Sequence, residues 1–285
     1  MIGRLEKLMP AQRGYKMDLS FLTASPVKIG EPGSGGTGFF FQLGPTSYLV
    51  TAGHVLANDS TAIFGQPQQS EIRADPPKIS YYLRASEDIR NLTRHTLDLS
   101  NDDLTWGFDP AGSDVVIIEL DQEISTVAEF ITDDREPNEH PYGTLAYREF
   151  DFLGSNQLRT DRVYNLGYPG KLSDRETKFP IRRNALISSP INFEYEGADR
   201  FLTDARMDPG TSGAPVLVKP SQVQRPTGES LRQSSGAPVL LGIHSGNFPH
   251  ETATETDEDS MREYSYSDLN ETWRPEAIVR AIRAA

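Results

Sequence analysis

The chain has 285 residues, a formal net charge of −13 and no cysteine. Without cysteine it has neither disulfides nor thiolate metal sites, which favours a reducing compartment, and its acidic balance argues against a nucleic-acid partner because phosphate backbones are repelled. No segment has the apolar run of a signal peptide or of a membrane span, so we expect a soluble cytoplasmic protein with no membrane partner.

Short runs of β-branched and aromatic residues, separated by Gly, Pro, Asn and Asp, recur along most of the chain. In chain order they are GFFFQL, SYLVTA, KISYYL, DVVIIEL, RVYNLGY, NALISS, INFEYE, APVLV and PVLLGIH. Only NETWRPEAIVRAIRAA, at the end, is helical in pattern, with Trp273, Ile278 and Ile282 near one helical face. The pattern predicts an all-β fold of sandwich or barrel type. Because the length exceeds that of a usual domain of about 100–150 residues, we expect two subdomains or one large β domain.

Three stretches rich in turn formers or charge are predicted to be loops. Residues 136–143 would join two halves, residues 219–236 would form a long, mobile surface hairpin, and residues 251–263 would be a solvated acidic loop. The sequence GSGGTG at residues 33–38 satisfies the dinucleotide pattern G-x-G-x-x-G. An aromatic strand rather than a helix follows it, so we predict no nucleotide site there.

Two polar residues stand at the ends of apolar strands. His54 follows SYLVTA in a turn of small residues, and Asp114 directly precedes VVIIEL. Taken alone, such a histidine is usually structural and such an aspartate is usually a turn residue. His95 and His140 lie in polar sequence and are assigned no special role.

These two residues could activate a nucleophilic serine. The sequence SGAPVL occurs twice and offers two candidates. Backbone N–H groups must point at the oxyanion of an acyl-transfer site, and a glycine two residues before the nucleophile lets the chain present one. Ser212 has Gly210 at that position, whereas Ser235 follows Gln233 and Ser234. We therefore favour Ser212 and interpret Ser235 as part of a turn.

The order His, Asp, Ser is that of the chymotrypsin arrangement. With GTGFFF, LVTAGHV, SDVVIIEL, TDARMDPGTSGAPV, NLGYPG and LLGIHSGN, the chain resembles the chymotrypsin-like (trypsin-like) serine proteases over residues 36–247, most closely their bacterial HtrA-like and glutamyl endopeptidase branch. The resemblance implies two antiparallel six-stranded β-barrels with the site in the cleft between them. It places an N-terminal extension at 1–25, the first barrel at 26–135, the second at 136–267 and a C-terminal helix at 268–285.

By this resemblance His54 is the general base, Asp114 orients it, and Ser212 is the nucleophile. The backbone N–H groups of Gly210 and Ser212 form the oxyanion hole, and the reaction needs no metal or other cofactor. The substrate is a protein or peptide. The substrate-binding residues that the resemblance implies are Arg206, His244, Ser245, Gly246 and Asn247.

The resemblance also suggests a specificity. Arg206 stands at the base of the specificity pocket and His244 matches a histidine of glutamyl endopeptidases, so the two predict a preference for acidic residues before the cleaved bond. In the alternative interpretation, Arg206 points outward to a surface acid, or His244 is a wall residue whose hydrogen bonds are made within the fold. Met207 also departs from the small hydroxyl residue that is expected beside such a pocket. Thr211 replaces the aspartate that captures a new N-terminus in secreted members, and we expect no PDZ domain.

The leading hypothesis is therefore a serine endopeptidase. One alternative is a protease-fold module that binds an extended peptide without cutting it, although the presence of all three triad residues and Gly210 speaks against decay. The other is a protease that stays latent until a regulatory protein partner orders its loops, with residues 219–236 as the segment to search for such control.

Overall fold

A computed structural model of the chain describes residues 19–29, 35–56, 78–84, 90–125, 145–148, 157–158, 160–224, 238–252 and 263–285. The loop predicted at 136–143, most of those predicted at 219–236 and 251–263, and both His140 and Ser235 lie outside these ranges. No helix within them is long and apolar enough to span a membrane.

The first half of the chain forms one sheet of eight strands. Its strands are β1 (Ala24–Ile29), β2 (Gly35–Leu43), β3 (Thr46–Ala52), β4 (Lys78–Arg84), β5 (Leu92–Asp98), β6 (Trp106–Phe108), β7 (Val115–Leu120) and β8 (Ala146–Arg148). The order is β5-β4-β1-β2-β3-β7-β6 with antiparallel pairs, and β8 pairs with β2 in parallel. A one-turn helix, α1 (Gly53–Leu56), follows β3.

The second half forms a six-stranded antiparallel sheet and a short two-stranded one. A last helix, α2 (Glu276–Ala284), ends the chain. The large sheet has the order β11-β10-β13-β15-β16-β12, and β9 pairs with β14. The strands are β9 (Gln157–Leu158), β10 (Arg162–Gly167), β11 (Ile181–Leu186), β12 (Arg200–Thr203), β13 (Pro215–Val218), β14 (Val223–Gln224), β15 (Val239–Thr252) and β16 (Glu263–Trp273).

The predicted fold class, an all-β protein with two curled antiparallel sheets and a C-terminal helix, is confirmed. Two details differ from the resemblance. The first sheet has eight strands instead of six, and one of them, β8, joins it from beyond residue 135. Trp273 is the last residue of β16 instead of part of the helix, since Pro275 disfavours helical backbone at Arg274 and α2 begins after the proline.

Continuous apolar runs arise because the central strands are covered on both faces. Successive side chains of a strand point to opposite faces, so Phe39 and Phe41 pack in the cluster between the sheets and α2, whereas Phe40 packs inside the first sheet. Val115 and Val116 divide in the same way. A third cluster, which includes Phe201, fills the second sheet.

Helix α2 ties the two sheets together by charge. The guanidinium of Arg280 donates to both carboxylate oxygens of Asp109, at 2.9 and 2.8 Å, and to Asp199 at 2.9 Å. Asp109 is fully buried in the loop between β6 and β7 and also accepts from the hydroxyl of Ser113. That loop leads directly to Asp114, so the ion pairs of Arg280 lie close to the candidate site.

Candidate active site

The pairing of β3 with β7 brings His54 to Asp114. Ala52 lies opposite Val115, so the residues just after β3 meet the residue just before β7. The backbone N–H of His54 donates to one carboxylate oxygen of Asp114 at 2.8 Å, and its ring Nδ1 lies 2.6 Å from the other. Gly53 is required there, because a Cβ on it would approach that carboxylate within 2.9 Å.

The surroundings of His54 favour its protonated form. Burial alone would lower the pKa of His54, but the charge of Asp114, its hydrogen bond and the charge of Glu271 outweigh burial and raise the pKa above its ordinary value. Because Asp114 accepts from Nδ1, the neutral ring carries its proton there and leaves Nε2 as the basic atom. His54 is half-buried and so remains open to solvent on one side.

Asp114 receives a third donor from the second sheet. The hydroxyl of Ser245, on β15, forms a very short hydrogen bond to the same carboxylate oxygen that binds the His54 ring. Ser245 and Asp114 are both buried. This contact joins the candidate acid of the first sheet to the strand predicted to bind substrate.

The loop that carries Ser212 is held from both sheets. The N–H of Thr37, on β2, donates to the carbonyl of Ser212 at 2.8 Å, and the N–H of Gly213 donates to the carbonyl of His244 at 2.8 Å. The hydroxyl of Thr37 also donates to the carbonyl of Gly210 at 2.8 Å. Ser212 therefore lies where β2 and β15 meet.

Two backbone N–H groups of this loop have no acceptor among the described residues. Those of Thr211, Gly213 and Ala214 donate within the fold, whereas no acceptor faces the N–H of Gly210 or Ser212. Gly210 has φ of +98°, and a Cβ on it would meet the carbonyl oxygen of Tyr168 at 2.7 Å. Only glycine fits this backbone, as the sequence reasoning required.

Among the described contacts, no hydrogen bond joins the Ser212 hydroxyl to His54. The Ser212 side chain is half-buried. The geometry thus contains a formed His–Asp pair, the loop of Ser212 anchored beside it and two N–H groups without a described acceptor. The hydrogen bond between His54 and Ser212 is not made.

His244 is a buried, neutral imidazole. Burial, the larger cause, and the charge of His54 together lower the pKa of His244 to about 3, against the opposing charge of Asp114. The hydroxyl of Thr211 donates to the carbonyl of Asp208 at 2.8 Å, so it can only accept from His244 Nε2, 3.3 Å away. His244 Nδ1 is then an acceptor, and it is buried without a partner among the described residues.

The other predicted substrate-binding residues differ in exposure. Arg206 is exposed and forms no ion pair with any described residue. Gly246 has open space where a Cβ would project, and Asn247 is exposed on the same strand. No group of three or more His, Asp or Glu side chains suited to a metal ion occurs within the described ranges.

Sequence reasoning missed two residues of this site. Thr37 binds the nucleophile loop, and its only signal was its place in GTGFFF. Glu271, in the polar stretch SDLNETW, is buried although nothing in that stretch predicts it. Both depend on contacts between strands that are distant in sequence.

One comparison with known proteins shows the family of the chain. The family model described as a trypsin-like peptidase domain matches residues 36–223, and no curated protein matches the chain. The chain is similar to the active form of the Rv3671c protease from M. tuberculosis, at 14% identity and a TM-score of 0.44, covering 93% of this chain and 81% of that one. It is also similar to Deg5, at 16% identity and a TM-score of 0.45, covering 90% of this chain and 86% of that one. Human heparin binding protein is similar at 10% identity and a TM-score of 0.49, covering 95% of this chain and 93% of that one.

Proposed function

The chain belongs to the family of trypsin-like peptidase domains, and on that premise we propose that it is a serine endopeptidase acting on protein or peptide substrates. The observation that carries the proposal is the 2.6 Å contact between His54 Nδ1 and Asp114. It lies beside a loop in which the N–H groups of Gly210 and Ser212 are free of any described acceptor.

In the proposed reaction, Ser212 Oγ attacks the peptide carbonyl carbon while its proton passes to Nε2 of His54. Asp114 keeps the ring proton on Nδ1 and stabilises the imidazolium that forms. The carbonyl oxygen becomes negative and accepts hydrogen bonds from the two free N–H groups. The imidazolium then protonates the leaving amine, and a water activated by the neutral ring hydrolyses the acyl-enzyme, which restores Ser212.

The absent hydrogen bond between Ser212 and His54 is compatible with this role. Contacts between base and nucleophile are often long in free enzymes and shorten when substrate binds. A proposal of latency, in which a regulatory protein partner orders the site, is favoured by the same observation. A non-cutting peptide-binding module is disfavoured by the His–Asp pair, which holds a basic ring nitrogen beside Ser212 and which peptide binding alone does not require.

A preference for acidic residues before the cleaved bond is the narrower form of the proposal. Arg206 has no described ion-pair partner and so is available to an acidic side chain, although its exposure is also what the outward orientation predicts. His244 supports it less, because its lowered pKa leaves it uncharged at neutral pH. We propose that Ser245, Gly246 and Asn247 bind the substrate backbone, which the open space at Gly246 favours.

The test uses a fluorophosphonate probe, which labels activated serines, together with peptide cleavage. Ser212→Ala should lose both signals, and Ser235→Ala, in the second SGAPVL, should keep both. Labelling or cleavage that survives in the Ser212→Ala protein refutes the proposed nucleophile. Labelling in cell extract but not in purified protein would identify the latent form.

A further inference from the structure

Glu271 is a buried carboxylate that the triad does not use. It lies on β16, and its side chain is 9% exposed. One of its oxygens accepts a very short hydrogen bond from Arg200, on the neighbouring strand β12. A carboxylate at such a position costs desolvation free energy that a neutral side chain of similar size would not.

The register of β15 and β16 places Glu271 next to the candidate site. Ile243 lies opposite Trp273 and His244 opposite Thr272, and the register then shifts before Asn247. Between these pairs, Ser245 and Gly246 of β15 stand across from Glu271 alone. Because side chains alternate along a strand, Glu271 shares the face on which Trp273 packs with Ile243 in one cluster.

Ser245 links this part of β15 to the His–Asp pair. The hydroxyl of Ser245 donates to Asp114, whose carboxylate also binds the His54 ring. Glu271 thus lies across the strand pair from the part of β15 that contacts Asp114. Its carboxylate is one of the charges that act on His54.

We propose that Glu271 is an electrostatic positioning residue of the site, which stabilises the imidazolium that His54 forms when it removes the proton of Ser212. This inference rests on the proposed protease mechanism for its purpose, although the interaction with His54 is independent of it. Arg200 fixes the orientation of the Glu271 carboxylate and sets how much of its charge is left to act on His54.

The charges around His54 agree in direction with this role. The charges that act on its titration are those of Asp114, from the loop before β7, and Glu271, from β16, while the charge of His54 in turn lowers the pKa of the neutral His244 on β15. The pKa of Glu271 is raised above its ordinary value, because burial and the charge of Asp114 outweigh Arg200 and the charge of His54, which lower it. Glu271 and His54 therefore influence each other's protonation.

Arg200 does not need Glu271 for its own hydrogen bonds. It also binds the carboxylate of Glu196 at 3.2 Å and the carbonyl of Tyr195 at 3.4 Å, and its guanidinium lies 5.2 Å from the ring centre of Phe248. Glu196 is 58% exposed and is not among the charges that act on His54. It is the matched control, a second carboxylate on the same arginine.

The experiment follows the His54 ring by NMR titration in isotope-labelled Ser212→Ala protein, in which the resonance is assigned by its loss in His54→Gln. Glu271→Gln should lower the pKa of His54 by about half a pH unit, the size expected for one partly compensated charge near a partly buried group. Glu271→Asp, which keeps the charge, should restore most of the shift, and Glu196→Gln should leave it unchanged. Should the Gln variant not fold, Glu271→Met is titrated instead.

In the protein with Ser212 intact, the acid limb of the kcat/KM profile should move by the same half unit to lower pH in Glu271→Gln. An unchanged pKa of His54 in that variant, or an equal shift in Glu196→Gln, overturns the inference, even if activity falls. Because the titration needs no activity, it is separable from the proposed function, which fails if the parent protein shows neither labelling nor cleavage.

Discussion

Replacing Thr37 by valine tests whether the first sheet positions the nucleophile loop. Thr37 is fully buried, and valine keeps its shape while removing only the hydroxyl. That hydroxyl donates to the carbonyl of Gly210 at 2.8 Å and accepts from the N–H of Tyr168 at 3.1 Å. The backbone bond from Thr37 to Ser212 does not depend on the side chain.

The size of the effect follows from the two lost hydrogen bonds. The N–H of Tyr168 is left buried without an acceptor, which costs about 1–3 kcal/mol, and the Gly210 carbonyl loses a donor worth about 1 kcal/mol. Thr37→Val should therefore lose roughly 2–4 kcal/mol of unfolding free energy. Because Gly210 also supplies a proposed oxyanion donor, and loss of one such donor costs about 10²–10³ in kcat, partial misalignment should lower kcat by about 10–100-fold with little change in KM.

The assay combines urea unfolding with steady-state cleavage of one peptide. Thr23→Val is the control, since the Thr23 hydroxyl is equally buried but binds the hydroxyl of Tyr147, on β8, at 3.0 Å and makes no described contact with the loop of Ser212. It should lose stability and keep kcat. If Thr37→Val loses stability as expected but retains the parent kcat, the hydroxyl does not position the oxyanion loop and the reasoning is wrong.

Two further predictions concern charge. Burial raises the pKa of Asp109, but its bonds to Arg280 and Ser113 outweigh burial and hold the pKa below its ordinary value, so their stabilisation is present above about pH 4 and is lost as pH falls through the folded-state pKa. Arg280→Met should thus cost about 3 kcal/mol of unfolding free energy at pH 7 and markedly less near pH 3, as measured by urea unfolding. An equal cost at the two pH values would show that the ion pair with Asp109 is not the source of the stabilisation. Arg206→Gln should lower kcat/KM about tenfold for a peptide with Glu before the cleaved bond and leave the matched Gln peptide unchanged; equal effects on both peptides would exclude a charge contact at Arg206.

The parts of the site that the sequence predicted are those fixed by neighbouring backbone. His54 and Asp114 meet because each adjoins the end of a strand, and those two strands are paired. Gly210 could be recognised because its positive φ excludes other residues. In both cases a short stretch of sequence contains most of the information that places the residue.

Thr37 and Glu271 could not be found in this way. The contact from Thr37 to Gly210 joins residues 173 positions apart, and no local pattern distinguishes a threonine that binds another sheet from one that packs in its own. Glu271 lies at the start of NETWRPEAIVRAIRAA, the stretch that the sequence predicted to be a helix. It is buried because β16 runs between β12 and β15, which depends on the strand order of the whole second sheet.

The candidate site depends on contacts that are also contacts between the two halves of the fold. Ser245 binds Asp114, Thr37 binds the loop of Ser212, and Arg280 joins Asp109 to Asp199. Because interiors are packed closely and hydrogen bonds weaken steeply with distance and angle, a small shift of one sheet against the other would weaken all three together. Neither half can build the proposed triad alone, since His54 and Asp114 adjoin strands of the first sheet and Ser212 lies between β12 and β13 of the second. The interface therefore determines both the stability of the pair of sheets and the alignment of Ser212 with His54.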